Sequence, residues 1–208
     1  MPIDFFNPYD WIAFYPNAIP EQQLVELNKV PETDINGPSR ANYGHKYDET
    51  EKQEDSVRLT NWYTMNYSLY DQTKKSFEGF VNNVILPRYG LKTFKSFEDI
   101  QFLSYPVGGH YVVHNDSEYF NDDLNKWERV APRDISVIMY LNDNFEGGEL
   151  EFPELGLTIK PQRGLIITFP SYCEFAHGVK PVIKGERNAL VTWIETHDKM
   201  YDIEPTPK

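Results

Sequence analysis

The chain has little cysteine and few basic residues. Cys173 is the single cysteine among 208 residues, so a disulfide within the chain is excluded. Lys and Arg number 20 against 32 Asp and Glu, which gives a net charge of −12. Nucleic-acid backbones are bound by clustered Lys and Arg, so we expect no nucleic-acid partner. The acidity fits a basic protein or peptide partner, or simply a solvated surface.

Long hydrophobic runs are also missing. No stretch is long and apolar enough to span a bilayer. The first residues, MPIDFFNPYDW, lack the basic start and apolar centre of a signal peptide. We therefore expect a soluble chain without membrane contact, in the reducing setting of the cytoplasm.

What the chain has in quantity is turn formers and aromatic residues, with 15 Pro, 12 Gly, 14 Tyr and 13 Phe. From residue 98 onward, turn signals such as PVGG, NDNFEGG and PQRG separate short β-rich segments. These segments are IQFLSY, YVVH, DISVIMYL, ELEF, LTIK, GLIITF and RNALVTWIE. Short strands at close spacing without helices between them predict a β-sandwich or barrel.

The first half of the chain reads differently. IPEQQLVELNKV and LYDQTKKSFEGFVNNVILPRYG have helical spacing, and the second is expected to stop at Pro87 and Gly90. Residues 31–56 and 117–133 are polar and are interpreted as loops. We expect a single domain over 1–208, with a helical and loop support region at 1–97 and a β core at 98–197.

The segment YPVGGHYVVHND, residues 105–116, raises the question of a metal site. If HYVVHND is a strand, His114 and Asp116 project to the same face, because side chains two apart share a face. A helical zinc-protease motif would need Glu after His110, where Tyr111 stands. A His-x-Asp pair alone is also compatible with two polar residues at the surface end of a strand.

Two residues further along the chain add weight to this pair. His177 precedes Gly178, and Arg187 begins the apolar strand RNALVTWI. On that strand Arg187 shares a face with small, apolar and aromatic residues, which fits either a solvated strand end or an anion-binding site. Two His and one carboxylate form the facial triad of non-haem Fe(II) oxygenases. An Arg beside such a triad can hold a carboxylate through a bidentate pair.

The segment from residue 100 to residue 195 resembles the prolyl 4-hydroxylase branch of the Fe(II)/2-oxoglutarate-dependent dioxygenases. The resemblance rests on the tyrosine before His-x-Asp, the YLND…GGELEFPE hairpin, the His-Gly-Val segment and an Arg ten residues later. It implies a double-stranded β-helix (jelly-roll, cupin-like) core with helices packed outside. The fold class expected is therefore mainly β with supporting helices.

The resemblance also assigns roles to residues. It implies His114, Asp116 and His177 as iron ligands, and Arg187 as the partner of the distal carboxylate of 2-oxoglutarate. Tyr105 is expected to hydrogen-bond this co-substrate or to line its pocket.

For each of two further residues, two interpretations remain open. Tyr140 matches a tyrosine that reaches the distal carboxylate, and it also fits a core aromatic of the barrel. Trp193 matches an aromatic of the pocket wall, and core packing would explain it equally.

The implied reaction hydroxylates a C–H bond, consumes O2 and 2-oxoglutarate, and releases succinate and CO2. Ascorbate is a candidate stimulatory reductant. The carboxylate at position 116 favours hydroxylation, because halogenating relatives lack a carboxylate there. The leading hypothesis for the substrate is a prolyl residue in a protein or peptide. The alternatives are the same chemistry on a free amino acid or another small molecule, and a non-catalytic barrel that binds metal or dicarboxylate.

Overall fold

The structure is a computed structural model that describes residues 8–41 and 54–197. Strands account for most of its regular structure. In chain order they are β1 Ala13–Tyr15, β2 Ser39–Arg40, β3 Arg58–Leu59, β4 Asn61–Tyr63, β5 Phe94–Phe97, β6 Gln101–Tyr105, β7 His110–His114, β8 Glu118–Asn121, β9 Lys126–Arg129, β10 Ile135–Tyr140, β11 Glu146–Gly147, β12 Leu150–Phe152, β13 Leu157–Ile159, β14 Ile166–Pro170, β15 His177–Val179, β16 Val182–Lys184 and β17 Arg187–Thr196.

Two antiparallel sheets form the core. The larger has the order β1-β14-β10-β17-β6-β4-β2, with β5 also paired to β17, and the smaller has the order β13-β12-β15-β7-β3. One apolar cluster contains residues of both sheets, among them Ile138 and Ile167 from the larger sheet and Leu150 and Phe152 from the smaller. The two sheets therefore pack face to face, and the prediction of a mainly β, double-stranded β-helix fold is confirmed.

Strand β10 illustrates how alternation separates two cores. Ile138 and Tyr140 point between the sheets, while Val137 and Met139 belong to a second cluster on the outer face. Strand β17 alternates in the same way, with Ala189 inside and residues 190 and 194 outside. These are the faces that the sequence predicted for β17, because side chains two apart on a strand share a face.

Helices cover the outer face of the larger sheet. They are α1 Glu21–Leu27, α2 Val30–Thr33, α3 Tyr67–Phe80, a π-helical turn Val81–Ile85, and α4 Leu86–Arg88. The Asn66 side chain caps α3 by accepting from the Leu69 N–H at 3.0 Å. The helical segment ends at Arg88 with Gly90 at φ +69°, close to the predicted stop. In the described parts of the chain, every helix is too short or too polar to cross a membrane.

Some of the predicted loops contain regular structure. Residues 117–133, interpreted as a loop, fold into the hairpin β8–β9, where Phe120 pairs with Trp127 across the strands. Their rings lie 5.5 Å apart, edge to face, and hold the hairpin together outside the main sheets. The predicted loop 31–56 includes part of α2 and all of β2, and its residues 42–53, with His45, lie outside the described residues.

Candidate active site

Antiparallel pairing brings His114 and His177 together. His114 is the last residue of β7, His177 is the first of β15, and the two are direct cross-strand partners. Their ring centroids are 4.5 Å apart. Asp116 lies two residues beyond the end of β7, so its side chain returns to the side of the sheet on which His114 projects.

The Asp116 carboxylate bridges the two imidazoles. Its Oδ1 is 3.7 Å from His114 Nε2, and its Oδ2 is 3.6 Å from His177 Nε2. One ligand atom from each of the three residues falls within 4.8 Å of the others. All three side chains are less than a tenth exposed, at 8%, 7% and 6%. The three residues predicted as iron ligands are therefore gathered at one buried point.

Both imidazoles are oriented by backbone carbonyls. His114 Nδ1 lies 2.8 Å from the Val112 oxygen, and His177 Nδ1 lies 3.1 Å from the Phe175 oxygen. A proton on each Nδ1 satisfies these carbonyls and leaves the Nε2 lone pairs pointing toward Asp116. A carbonyl on the far nitrogen is the usual way in which a metal-binding His is held in one tautomer.

The electrostatics of the cluster suit a cation. Burial lowers the pKa of His114, so this imidazole is neutral and able to donate its lone pair at neutral pH. Burial alone would raise the pKa of Asp116. Electrostatic interactions with His177, His114 and Arg133 and a hydrogen bond from Ser136 outweigh burial, and they hold the pKa of this carboxyl below its ordinary value. The Asp116 carboxylate is therefore an anion at neutral pH.

Arg187 is buried without an anionic partner. It is 1% exposed, and its Nε has no hydrogen-bond acceptor. Its guanidinium carbon lies 4.5 Å from the centre of the Tyr105 ring and 5.0 Å from that of Tyr140. Among the described residues no Asp or Glu forms an ion pair with it. A solvated strand end does not explain a buried guanidinium, and the burial of Arg187 fits the other explanation, an anion-binding position.

The chain makes room for Arg187 at Gly148. A Cβ on Gly148 would lie 3.0 Å from Arg187 Cδ and 3.1 Å from side-chain atoms of Phe145 and Val182. Gly148 also has a φ of +67°, which side chains rarely tolerate. The glycine in the predicted GGELEF hairpin thus leaves the space that the Arg187 side chain occupies.

The other predicted pocket residues divide between the two ends of the site. Tyr105 is the direct cross-strand partner of Arg187, and the hydroxyl of Tyr140 is buried without a partner. Burial raises the pKa of Tyr140, and the Arg187 charge opposes part of that rise. Trp193 is six residues from Arg187 along β17, about 20 Å in an extended strand. It lies at the metal end, with the Arg133 guanidinium 3.7 Å from its ring centre.

Apolar and aromatic side chains connect the two ends. Tyr111 stacks on His114 with ring centroids 3.6 Å apart, and it packs against the cluster that contains Tyr105. On the opposite side, the Phe169 ring lies 4.7 Å from His177 and belongs to the same cluster as Tyr140. Arg187 and the His–Asp–His cluster therefore border one barrel interior.

A second group of ligand-type side chains lies nearby. Cys173, Glu118 and Glu174 have ligand atoms within 4.8 Å of one another. Burial and the two carboxylates raise the pKa of the Cys173 thiol, so it stays protonated. The Glu118 carboxylate already accepts a hydrogen bond from the Cys173 backbone N–H at 2.7 Å. This arrangement therefore does not favour a metal site at Cys173.

Sequence reasoning missed the residues that hold Asp116. Ser136 Oγ donates to Asp116 Oδ2 at 2.6 Å, and Arg133 Nη1 donates to the Asp116 carbonyl at 3.1 Å. Arg133 is itself fixed by Glu98, which accepts from its Nε and Nη2. The available signal for Ser136 was a lone serine among the apolar and aromatic residues of the strand ISVIMY. A buried hydroxyl in such a strand needs a partner.

The family comparison agrees with the motifs. Residues 100–195 match the 2OG-Fe(II) oxygenase superfamily. Human prolyl 3-hydroxylase 2 is 38% identical over 100 residues, which cover 44% of this chain and 14% of the relative. Prolyl 3-hydroxylase 1 of Gallus gallus is 46% identical over 92 residues, which cover 40% and 13%. The match thus spans a small part of these relatives. The resemblance to 2-oxoglutarate-dependent oxygenases of the prolyl hydroxylase type is confirmed.

Solved structures with the same fold are also prolyl hydroxylases. The viral collagen prolyl hydroxylase of Paramecium Bursaria Chlorella virus-1, in its 2OG complex, has a TM-score of 0.59 and 23% identity over 88% of this chain and 95% of that one. A Pseudomonas putida prolyl-4-hydroxylase has a TM-score of 0.60 and 20% identity over 89% and 92%. A Trichoplax adhaerens prolyl hydroxylase, complexed with a hypoxia inducible factor peptide fragment, has a TM-score of 0.64 and 19% identity over 90% and 84%.

Proposed function

We propose that this chain is an Fe(II)- and 2-oxoglutarate-dependent dioxygenase that hydroxylates a prolyl residue in a protein or peptide and releases succinate and CO2. The observation that carries the proposal is the pairing of two sites in one barrel interior. One site gathers two imidazoles and an aspartate, and the other holds a buried arginine without an anion.

The residues of the first site fit a ferrous ion. His114, His177 and Asp116 offer two nitrogen donors and one carboxylate, a set that binds divalent first-row metals and leaves positions open for other ligands. Bound iron would supply the activation of O2 in the presence of 2-oxoglutarate. The side chains of Phe169 and Phe152 border His177 at 4.7 and 5.7 Å and keep bulk water away from that face.

The residues of the second site fit a dicarboxylate. Arg187 would pair with the distal carboxylate of 2-oxoglutarate, because its Nε donor has no acceptor in the protein. The free Tyr140 hydroxyl would donate to the same carboxylate, and Tyr105 would flank it. The co-substrate is then held in a dry interior between the arginine and the metal, where charge-assisted hydrogen bonds are strong.

The substrate proposal rests on the relatives. The sequence relatives are named prolyl 3-hydroxylases, and the structural neighbours include a prolyl-4-hydroxylase. The neighbour from Trichoplax adhaerens was solved with a peptide. We therefore propose a prolyl residue of a peptide as the target. Analysis of the product will identify which carbon of the ring is hydroxylated.

Single-domain organisation is part of the proposal. Strand β1 pairs with β14, β3 with β7, and β4 with β6. Segments from before residue 98 thus complete both sheets of the later core. This supports one folding unit rather than a separate support region.

The test is a peptide assay with mass spectrometry. The protein is incubated with Fe(II), ascorbate, 2-oxoglutarate and a panel of proline-containing peptides under air. We expect a gain of one oxygen on a prolyl residue, with an equal amount of succinate. Succinate formation coupled to oxidation of a free amino acid or another small molecule, with every peptide unchanged, would overturn the prolyl assignment. A lack of both succinate and 2-oxoglutarate binding would overturn the enzymatic assignment in favour of a binding barrel.

A further inference from the structure

A chain of three buried serines leads to the Asp116 carboxylate, and Ser136 contacts it directly. Ser136 is 2% exposed, Ser171 is 1% exposed and Ser117 is fully buried. Ser136 Oγ lies 2.6 Å from Asp116 Oδ2 and 2.8 Å from Ser171 Oγ. Ser117 Oγ donates to the Ser171 carbonyl at 2.8 Å. Strand β10, the end of β14 and the loop after β7 thus meet at this carboxylate.

The direction of the hydroxyl protons follows from counting donors. A serine hydroxyl carries one proton, and the carboxylate can only accept. Ser136 therefore donates its proton to Asp116 Oδ2, and Ser171 must donate to Ser136. The chain of hydroxyls points toward the anion, and each bond polarises the next.

The neighbours of Ser136 leave it no competing partner. Its cross-strand neighbours are Trp193 on β17 and Phe169 on β14. On its own strand, Ile138 is the next residue on the same face. Ser136 is therefore a polar group in an apolar wall, and Ser171 and Asp116 satisfy it.

We infer that Ser136, backed by Ser171, is a positioning residue that makes Asp116 a one-oxygen metal ligand. The inference rests on the proposed function. A carboxylate can bind a metal through one oxygen or two, and a second oxygen would take a position that the co-substrate and O2 need. Both oxygens face an imidazole, Oδ1 at 3.7 Å from His114 Nε2 and Oδ2 at 3.6 Å from His177 Nε2. The short hydrogen bond from Ser136 uses one lone pair of Oδ2 and weakens it as a ligand, so Oδ1 is the better ligand atom. Arg133 fixes the Asp116 backbone at the same time.

The test uses Co2+ in place of iron, without oxygen, on the whole chain. The Co2+ affinity is measured by titration, and its visible absorption reports the coordination number. In Ser136→Ala we expect the affinity to fall about tenfold or more, as on loss of other partners that orient metal ligands. We also expect the spectrum to change as the second carboxylate oxygen becomes free to bind. Ser136→Thr keeps the hydroxyl and should restore the spectrum of the wild type.

Three further comparisons separate positioning from a general loss of structure. Ser96→Ala also removes a serine hydroxyl bound to a carboxylate, that of Glu195 at 3.2 Å, but outside the site, and it should bind Co2+ normally. Ser171→Ala should weaken binding less than Ser136→Ala, since the bond to Asp116 remains. If circular dichroism shows that Ser136→Ala is poorly folded, the test is made with Ser171→Ala and Ser136→Thr instead.

The outcomes distinguish the inference from the proposed function. Wild-type affinity and spectrum in both Ser136→Ala and Ser171→Ala would overturn the inference while leaving the metal site intact. Wild-type protein that binds neither Co2+ nor Fe2+ would overturn the proposed function itself.

Discussion

The guanidinium of Arg187 lies 5.0 Å from the ring centre of Tyr140, and neither the Arg187 Nε nor the Tyr140 hydroxyl has a hydrogen-bond partner. Two unsatisfied donors side by side in a dry interior are costly without an acceptor. An anion that accepts from both removes that cost. Substitutions of Arg187 and Tyr140 therefore test the binding of a dicarboxylate most directly.

Replacement of Arg187 should weaken the binding of 2-oxoglutarate. In Arg187→Lys the charge remains, but the planar fork that binds a carboxylate through two hydrogen bonds is lost. We expect the Kd for 2-oxoglutarate to rise about 10- to 100-fold, from the loss of about 1.5–3 kcal/mol in a charge-assisted bond. Isothermal titration in the presence of Co2+ measures it. An unchanged Kd would mean that the co-substrate does not bind at Arg187.

Tyr140→Phe decides between the two explanations of Tyr140. No protein hydrogen bond is lost, so the melting temperature of the free protein should stay the same or rise. The affinity for 2-oxoglutarate should fall about fivefold, as expected for one neutral hydrogen bond of about 1 kcal/mol. If Tyr140 is only a core aromatic, the affinity will not change.

Tyr89→Phe should have the opposite effects to Tyr140→Phe, on stability and on binding. The Tyr89 hydroxyl donates to the Trp11 carbonyl at 2.9 Å and lies 2.9 Å from Thr168 Oγ1. Its removal should lower the melting temperature because both hydrogen bonds are lost, and it should leave the 2-oxoglutarate affinity unchanged.

Gly148→Ala should damage the anion site through packing. Its new Cβ would stand 3.0 Å from Arg187 Cδ, on a backbone with φ +67°. Gly156→Ala is a matched control, because Gly156 has φ +61° and nothing within 4 Å of the added Cβ. Both changes should cost about 1–2 kcal/mol of stability from the left-handed backbone. Only Gly148→Ala should also weaken 2-oxoglutarate binding, and equal binding in the two variants would contradict our assignment of Gly148.

Metal should stabilise the fold through the His–Asp–His cluster. A ligand that binds only the folded state adds about 2.7 kcal/mol at a concentration 100 times its Kd. Co2+ should therefore raise the melting temperature, and a chelator should reverse the rise. His177→Ala should remove this response.

His110→Ala tests whether the response belongs to the cluster. His110 lies on the same strand as His114, but its nitrogens face the carbonyls of Gly108 and Ser56 at 2.8 and 3.3 Å. This variant should keep the response to Co2+. A response that survives in His177→Ala, or that disappears in His110→Ala, would place the metal elsewhere.

The sequence predicted the parts of the structure that local periodicity encodes. The alternation in RNALVTWI gave the two faces of β17, and helical spacing gave α1 and α3. Strands β2 and β3 have two residues each, too few for any period to show. The hairpin β8–β9 was mistaken for a loop because its polar residues bond across the strands, as Asn121 does with Glu128 at 2.7 Å.

The residues of the candidate site were also predictable from the sequence only in part. Spacing within the chain related His114 to Asp116, and family resemblance was needed to add His177 and Arg187, which lie far along the chain. The bond between Ser136 and Asp116 joins residues 20 apart through tertiary structure alone. A lone serine on an apolar strand indicates that a partner exists without identifying it.

The most direct test of the central claim is the fate of labelled dioxygen. The protein is supplied with 18O2, Fe(II), 2-oxoglutarate and a proline-containing peptide that it oxidises, and both products are analysed by mass spectrometry. The account predicts one 18O atom in succinate and one in the hydroxylated prolyl residue, with neither product formed by His177→Ala. Succinate that carries label while every prolyl residue remains unchanged would contradict it.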